Sequence, residues 1–85
     1  MKRKGLKAIY FHAFWDGCFD ERDFFADYCK KNKIPFEFID AESDNGVKMS
    51  IKHTVRNCPN VLLFDNGKEI ARMRGKDFVK TGFNI

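Results

Sequence analysis

Apolar residues fill both alternating sets of positions from Leu6 to Ala13, the pattern of a strand buried on both faces. From about Cys18 to Lys33 the period lengthens to that of a helix. Phe25 and Cys29, four apart, share a face flanked by Arg22 and Phe24. Asp20, Glu21 and Asp23 crowd the start of this segment and Lys30, Lys31 and Lys33 its end, matching the helix dipole. Ile34 to Asp40 reads as a second strand, entered through Pro35. A second helix follows, with Ser43, Asp44 or Asn45 as its cap and Val47, Ile51 and Val55 as an apolar stripe at four-residue spacing. Asn57-Cys58-Pro59-Asn60 then leads into the apolar run Val61-Leu62-Leu63-Phe64.

Asn66-Gly67 between two strand-like runs is a strong hairpin signal, so Glu69 to Arg74 is expected to return beside that run and close at Gly75. A short terminal helix is expected within Asp77 to Ile85, limited by Gly82. The order β-α-β-α-β-β-α predicts an α/β fold: a mixed four-stranded sheet, its first pair parallel, with helices on both faces. No repeat, low-complexity tract or linker divides the chain, so residues 1–85 read as one domain. That size is near the lower end of what buries its own core, and ten phenylalanines, two tyrosines and a tryptophan help it do so.

Sixteen basic and twelve acidic residues leave a formal charge of +4, an ordinary solvated surface with a basic bias. The excess gathers at Lys2-Arg3-Lys4 and along Lys68, Arg72, Arg74, Lys76 and Lys80. A nucleic-acid partner therefore rests on charge alone, since no binding motif accompanies it. Lys7 interrupts what would be the core of a secretion signal, and no apolar run approaches the roughly 20 residues of a membrane span. Three cysteines without framework spacing suit a reducing compartment, and a cytoplasmic location is expected.

The first strand followed by Ala13-Phe14-Trp15-Asp16-Gly17, and the later run Asn57-Cys58-Pro59-Asn60 through Gly75, together resemble thioredoxin. The likeness covers nearly the whole chain, although the additional N-terminal strand and helix typical of thioredoxins have no counterpart in it. Pro59 falls where that family has its cis-proline, Asn66-Gly67 at its hairpin, and Gly75 at the glycine beside the active site. Phe11, Ala13, Trp15 and Gly17 also fall on family positions. The family's Trp-Cys-Gly-Pro-Cys sequence is not kept. Aligned without a gap, Asp16 stands at the attacking cysteine, Cys18 at the proline and Phe19 at the resolving cysteine. A one-residue gap would put Cys18 at the resolving position and still leave no attacking thiol. Tyr10 stands where the family buries an acid beneath the site.

Dithiol exchange needs one sulfur to form a mixed disulfide and a second to release it. Asp16 cannot supply the first, whereas a carboxylate at a helix start can accept backbone N–H groups as an N-cap. Cys18, in the first helical turn, would gain thiolate character from the dipole, opposed by Asp16, Asp20 and Glu21. Cys18 and Cys58 are thus the candidate catalytic residues of the runner-up reading, an atypical thiol oxidoreductase, while the plainer reading is two separate thiols. Cys29 reads as a small core residue. His12, ending the first strand, is either a proton carrier or a hydrogen-bonded structural histidine. His53, lying among Lys52 and Arg56, is expected on an exposed helix face with a surface role. Neither histidine has metal-ligand spacing to the cysteines, and no cofactor motif is present.

The resemblance implies a binding face formed by Phe14, Trp15, Asp16, Gly17, Cys58, Pro59 and Gly75. On such a face an extended peptide or protein segment pairs with the backbone before the cis-proline, a mode that needs no thiol.

Overall fold

The computed structural model describes residues 5–12, 19–55 and 60–83. The elements run β1 (Leu6–His12), α1 (Phe19–Lys31), β2 (Phe36–Asp40), α2 (Asp44–Lys52), β3 (Asn60–Asp65), β4 (Lys68–Arg74) and α3 (Gly75–Thr81). The sheet order is β2-β1-β3-β4, with β1 parallel to β2 and antiparallel to β3, and β3 antiparallel to β4. This is the mixed sheet that the hydrophobic pattern predicts. Its two central strands carry the apolar runs, since both their faces are covered.

Leu6, Ala8 and Tyr10 of β1 and Val61 and Leu63 of β3 point to one face, where Phe25 and Cys29 of α1 and Phe78 of α3 bury them. Phe25 sits at the centre, its ring 5.3 Å from Tyr10, 5.6 Å from Phe36 and 5.6 Å from Phe78. Tilted and edge-on rings at these separations add to the gain from area burial. Ile9, Phe11, Ile39, Leu62 and Phe64 form the opposite face, against which Met49 of α2 and Val55 pack.

The helix and strand ends differ from the sequence reading for local reasons. α1 stops at Lys31, because Lys33 turns into the left-handed region at φ 56°. Ile34, expected to open β2, is instead a buried loop residue of the α1-side core. α3 begins at Gly75 rather than Asp77 and ends where Gly82 takes φ 63°, its N–H bonded to the Phe78 carbonyl. Asn66 and Gly67 hold φ 53° and 83°, the two positive values that a tight two-residue hairpin requires.

β2 is an edge strand. Ala8 N–H bonds to the Pro35 carbonyl and Ala41 N–H to that of His12, so the backbone groups of Glu37 and Ile39 face β1. Those of Phe36 and Phe38 therefore face away from the sheet.

The apolar stripe expected on α2 is a correction. Val47 and Ile51 are exposed, and Val55 lies beyond the helix end. Met49 and Gly46 face inward instead. Ser43 is the N-cap, its hydroxyl accepting from Gly46 N–H at 2.9 Å. A Cβ at Gly46 would overlap the Asp40 carbonyl, so helix and strand meet there backbone to backbone.

Candidate functional site

Strand register brings three strand ends together at one end of the sheet. His12 pairs with Asp40, Phe11 with Asn60, and Asn60 with Arg74. The chain therefore leaves β1, enters β3 and leaves β4 side by side at this end. Gly75, the next residue, is buried at the start of α3. Of the candidate site residues, Gly75 is the one the structure describes. Phe14, Trp15, Asp16, Gly17, Cys18, Cys58 and Pro59 lie outside the described residues, as does the Cys58–Pro59 peptide bond.

Tyr10 lies two residues below His12 on β1 and is fully buried, its ring 5.3 Å from Phe25 and 5.6 Å from Phe38. The position that the resemblance assigns to a buried acid is therefore part of an aromatic cluster. Asn60, also buried, has a side-chain oxygen without a hydrogen-bond partner among the described residues. His12 is half-buried with its ring edge toward Phe38 at 6.2 Å. Its Nδ1 likewise has no partner among the described residues, so that nitrogen is not tied into a structural hydrogen bond there. His12, Arg22, Asp23 and Phe38 line a shallow cleft of about 450 Å³ beside this end of the sheet. Sequence reasoning found His12 but missed the cleft, because Arg22 and Asp23 reach it only through the placement of α1.

Cys29 is fully buried among the α1-side core residues, and burial pushes its thiol up to about 12. It is a core residue with almost no thiolate at neutral pH. Among the described residues no three His, Cys, Asp or Glu side chains are grouped as metal ligands. No described helix is long and apolar enough to cross a membrane.

His53 departs from the exposed helix face expected of it. It is the C-cap of α2, half-buried, with its ring 4.9 Å from that of Phe64. Burial lowers its pKa, assisted by Lys52 and Arg72 and opposed by Glu69. Thr54 follows in the left-handed region at φ 56°. Val55 N–H bonds to the Ser50 carbonyl and Thr54 N–H to that of Ile51, the pair of bonds that ends a helix in a Schellman turn. Glycine usually occupies the left-handed place, and a β-branched residue there is strained.

Arg72 of β4 holds this turn from across the sheet, its Nη1 donating to the Thr54 carbonyl at 2.8 Å and its Nη2 to that of His53. The same guanidinium takes both Glu69 carboxylate oxygens, at 2.9 and 2.7 Å. In a regular strand residues three apart point to opposite faces. Here Glu69 pairs with Phe64 and Arg72 with Leu62, with a register shift between, so a bulge at Ile70 brings both to the α2 face.

No protein-family model and no curated protein sequence matches the chain. Solved structures do match it. The thioredoxin of Fasciola hepatica superposes with a TM-score of 0.76 at 21% identity, over 96% of this chain and 82% of that one. Mitochondrial thioredoxin 3 of Saccharomyces cerevisiae gives 0.76 at 18% identity, over 99% and 82%. An Entamoeba histolytica thioredoxin mutant gives 0.70 at 26% identity, over 92% and 82%. The chain is a thioredoxin-fold protein. Its two-faced sheet and three helices reproduce that fold while its sequence carries no Cys-x-x-Cys pair.

Proposed function

We propose that this protein binds extended peptide or protein segments at the end of the sheet where β1, β3 and β4 meet, without ordinary dithiol-disulfide exchange. One observation carries the reading: a thioredoxin fold on a chain whose sequence holds no Cys-x-x-Cys pair. Gly75, buried at the junction of β4 and α3 beside Asn60, supports the placement of the binding face. Phe14, Trp15, Asp16, Gly17, Cys58 and Pro59 would complete it. Binding by strand addition uses backbone groups and apolar contacts, so it survives loss of the thiols. Three cysteines without framework spacing support a reducing compartment, the cytoplasm, as the setting for this binding.

The test is insulin reduction by the unmodified chain, expected to stay near background. Asp16→Cys with Phe19→Cys and Cys18→Pro supplies an attacking thiol at a helix start and a resolving thiol to release the mixed disulfide. That triple variant is expected to gain exchange activity. Strong activity in the unmodified protein, abolished by Cys18→Ser or Cys58→Ser, would overturn the reading and establish a thiol oxidoreductase.

A further inference from the structure

The apolar side chains of α2 point two ways. Met49 packs on the sheet, while Val47 and Ile51, one turn apart, stand on the opposite side at 47% and 75% exposure. An isolated exposed aliphatic residue needs no explanation, but a pair one turn apart on a helix makes a ridge. The ridge runs into a shallow trough of about 240 Å³ lined by Ser50, Ile51, Thr54 and Val55. The trough thus includes the strained Thr54 turn that Arg72 holds in place.

Charge decides what fits. Lys48 and Lys52 each follow a ridge residue by one position, about 100° around the helix, and both are exposed along the same flank. Asp44 lies one turn before Lys48 on the same flank, so the flank keeps a net positive charge that is concentrated toward the C-terminal half of α2. Two copies packed ridge to ridge with their helices parallel would bring four lysines together on molecules that each carry a formal +4, and antiparallel packing would still set Lys48 against Lys48. A partner with carboxylates beside its apolar residues meets the opposite charge.

We propose that the Val47–Ile51 face of α2 docks an acidic amphipathic helix, with two apolar side chains on the ridge and trough and carboxylates against Lys48 and Lys52. This is helix-on-groove recognition, with charge setting orientation and favouring an acidic partner over a second copy. It does not depend on peptide binding near Gly75.

The probe is a synthetic amphipathic helix of leucine and glutamate, compared with the same peptide carrying lysine for glutamate, in an NMR titration of the full chain. The glutamate peptide should shift the amides of Val47, Ser50, Ile51 and Thr54 and bind at least about tenfold more tightly than the lysine peptide, a difference of about 1.4 kcal/mol. Lys48→Glu with Lys52→Glu should reverse that preference, and Ile51→Ser should weaken glutamate-peptide binding while leaving the urea midpoint unchanged. Equal binding of the two peptides, no binding at millimolar concentration, or shifts confined to other elements would overturn the proposal. So would sedimentation showing a dimer that Ile51→Ser dissociates, which would assign the ridge to a second copy.

Discussion

Replacing Arg72 with methionine keeps most of the apolar stem and removes the fork that ties β4 to the end of α2. Two carbonyls, of His53 and Thr54, then lose a charged donor. A hydrogen bond to a charged group contributes about 1.5–3 kcal/mol, and partial exposure of this site favours the lower end for each. The Glu69 ion pair, about a third exposed on both sides, adds less than about 1 kcal/mol. Because water re-solvates part of what is lost, the expected cost of Arg72→Met is about 2–3 kcal/mol. In a domain of this size that lowers the melting temperature by about 10–20 °C. Urea unfolding should show a lower midpoint with an unchanged slope. Glu69→Gln separates the contributions, since the carbonyl bonds remain in that variant; it should cost under about 1 kcal/mol. An Arg72→Met loss below about 0.5 kcal/mol, or one that disappears in the Glu69→Gln background, would refute the assignment of the energy to the helix carbonyls.

Thr54→Gly should stabilise the fold by about 0.5–1 kcal/mol in urea unfolding, because relief of the left-handed strain exceeds the added chain entropy; any loss would contradict the Schellman reading. Gly46→Ala should destabilise by about 1–3 kcal/mol in the same assay despite alanine's better helix propensity, since its Cβ meets the Asp40 carbonyl. Acid should weaken the fold in two stages. The pKa of His53 is lowered from 6.5, mainly by burial, so the stability its neutral form supports is present above that value and lost as pH falls through the folded value. Glu69, lowered from 4.5 chiefly by its hydrogen bond from Arg72, adds a second loss at lower pH. A urea midpoint that falls below about pH 6.5 in the parent but not in His53→Gln confirms the first stage; a flat parent profile refutes it.

Where local chemistry dictates conformation, the sequence was legible. Asn66-Gly67 marked its hairpin because both residues accept positive φ, and Phe25 and Cys29 marked the buried face of α1 because side chains make that contact. On α2 the contact is made largely by backbone. Gly46 brings the helix against Asp40 with no side chain to announce it, so the visible stripe of Val47 and Ile51 pointed to the wrong face. The Glu69–Arg72 pair was hidden for a different reason. Its residues share a face only because of a bulge, and a one-residue irregularity in strand pairing leaves no periodic trace. At the candidate site the cleft beside His12 depends on how α1 crosses the sheet, which no spacing along the chain reveals.

The outward-facing backbone of β2 bears on how the chain behaves in a crowded solution. Among the described residues no strand pairs with this edge, and outward N–H and C=O groups beside two phenylalanines are a template on which another chain can polymerise. Several features blunt it. β2 is only five residues long, Pro35 stands at its entrance, and Glu37 and Asp40 interrupt the apolar run with carboxylates. The Asp40 carbonyl is already taken by the Ser43 N–H and hydroxyl, which shortens the usable edge further. Glu37, ion-paired to Lys7 at 3.5 Å, is thus less a source of stability than a gatekeeper of solubility.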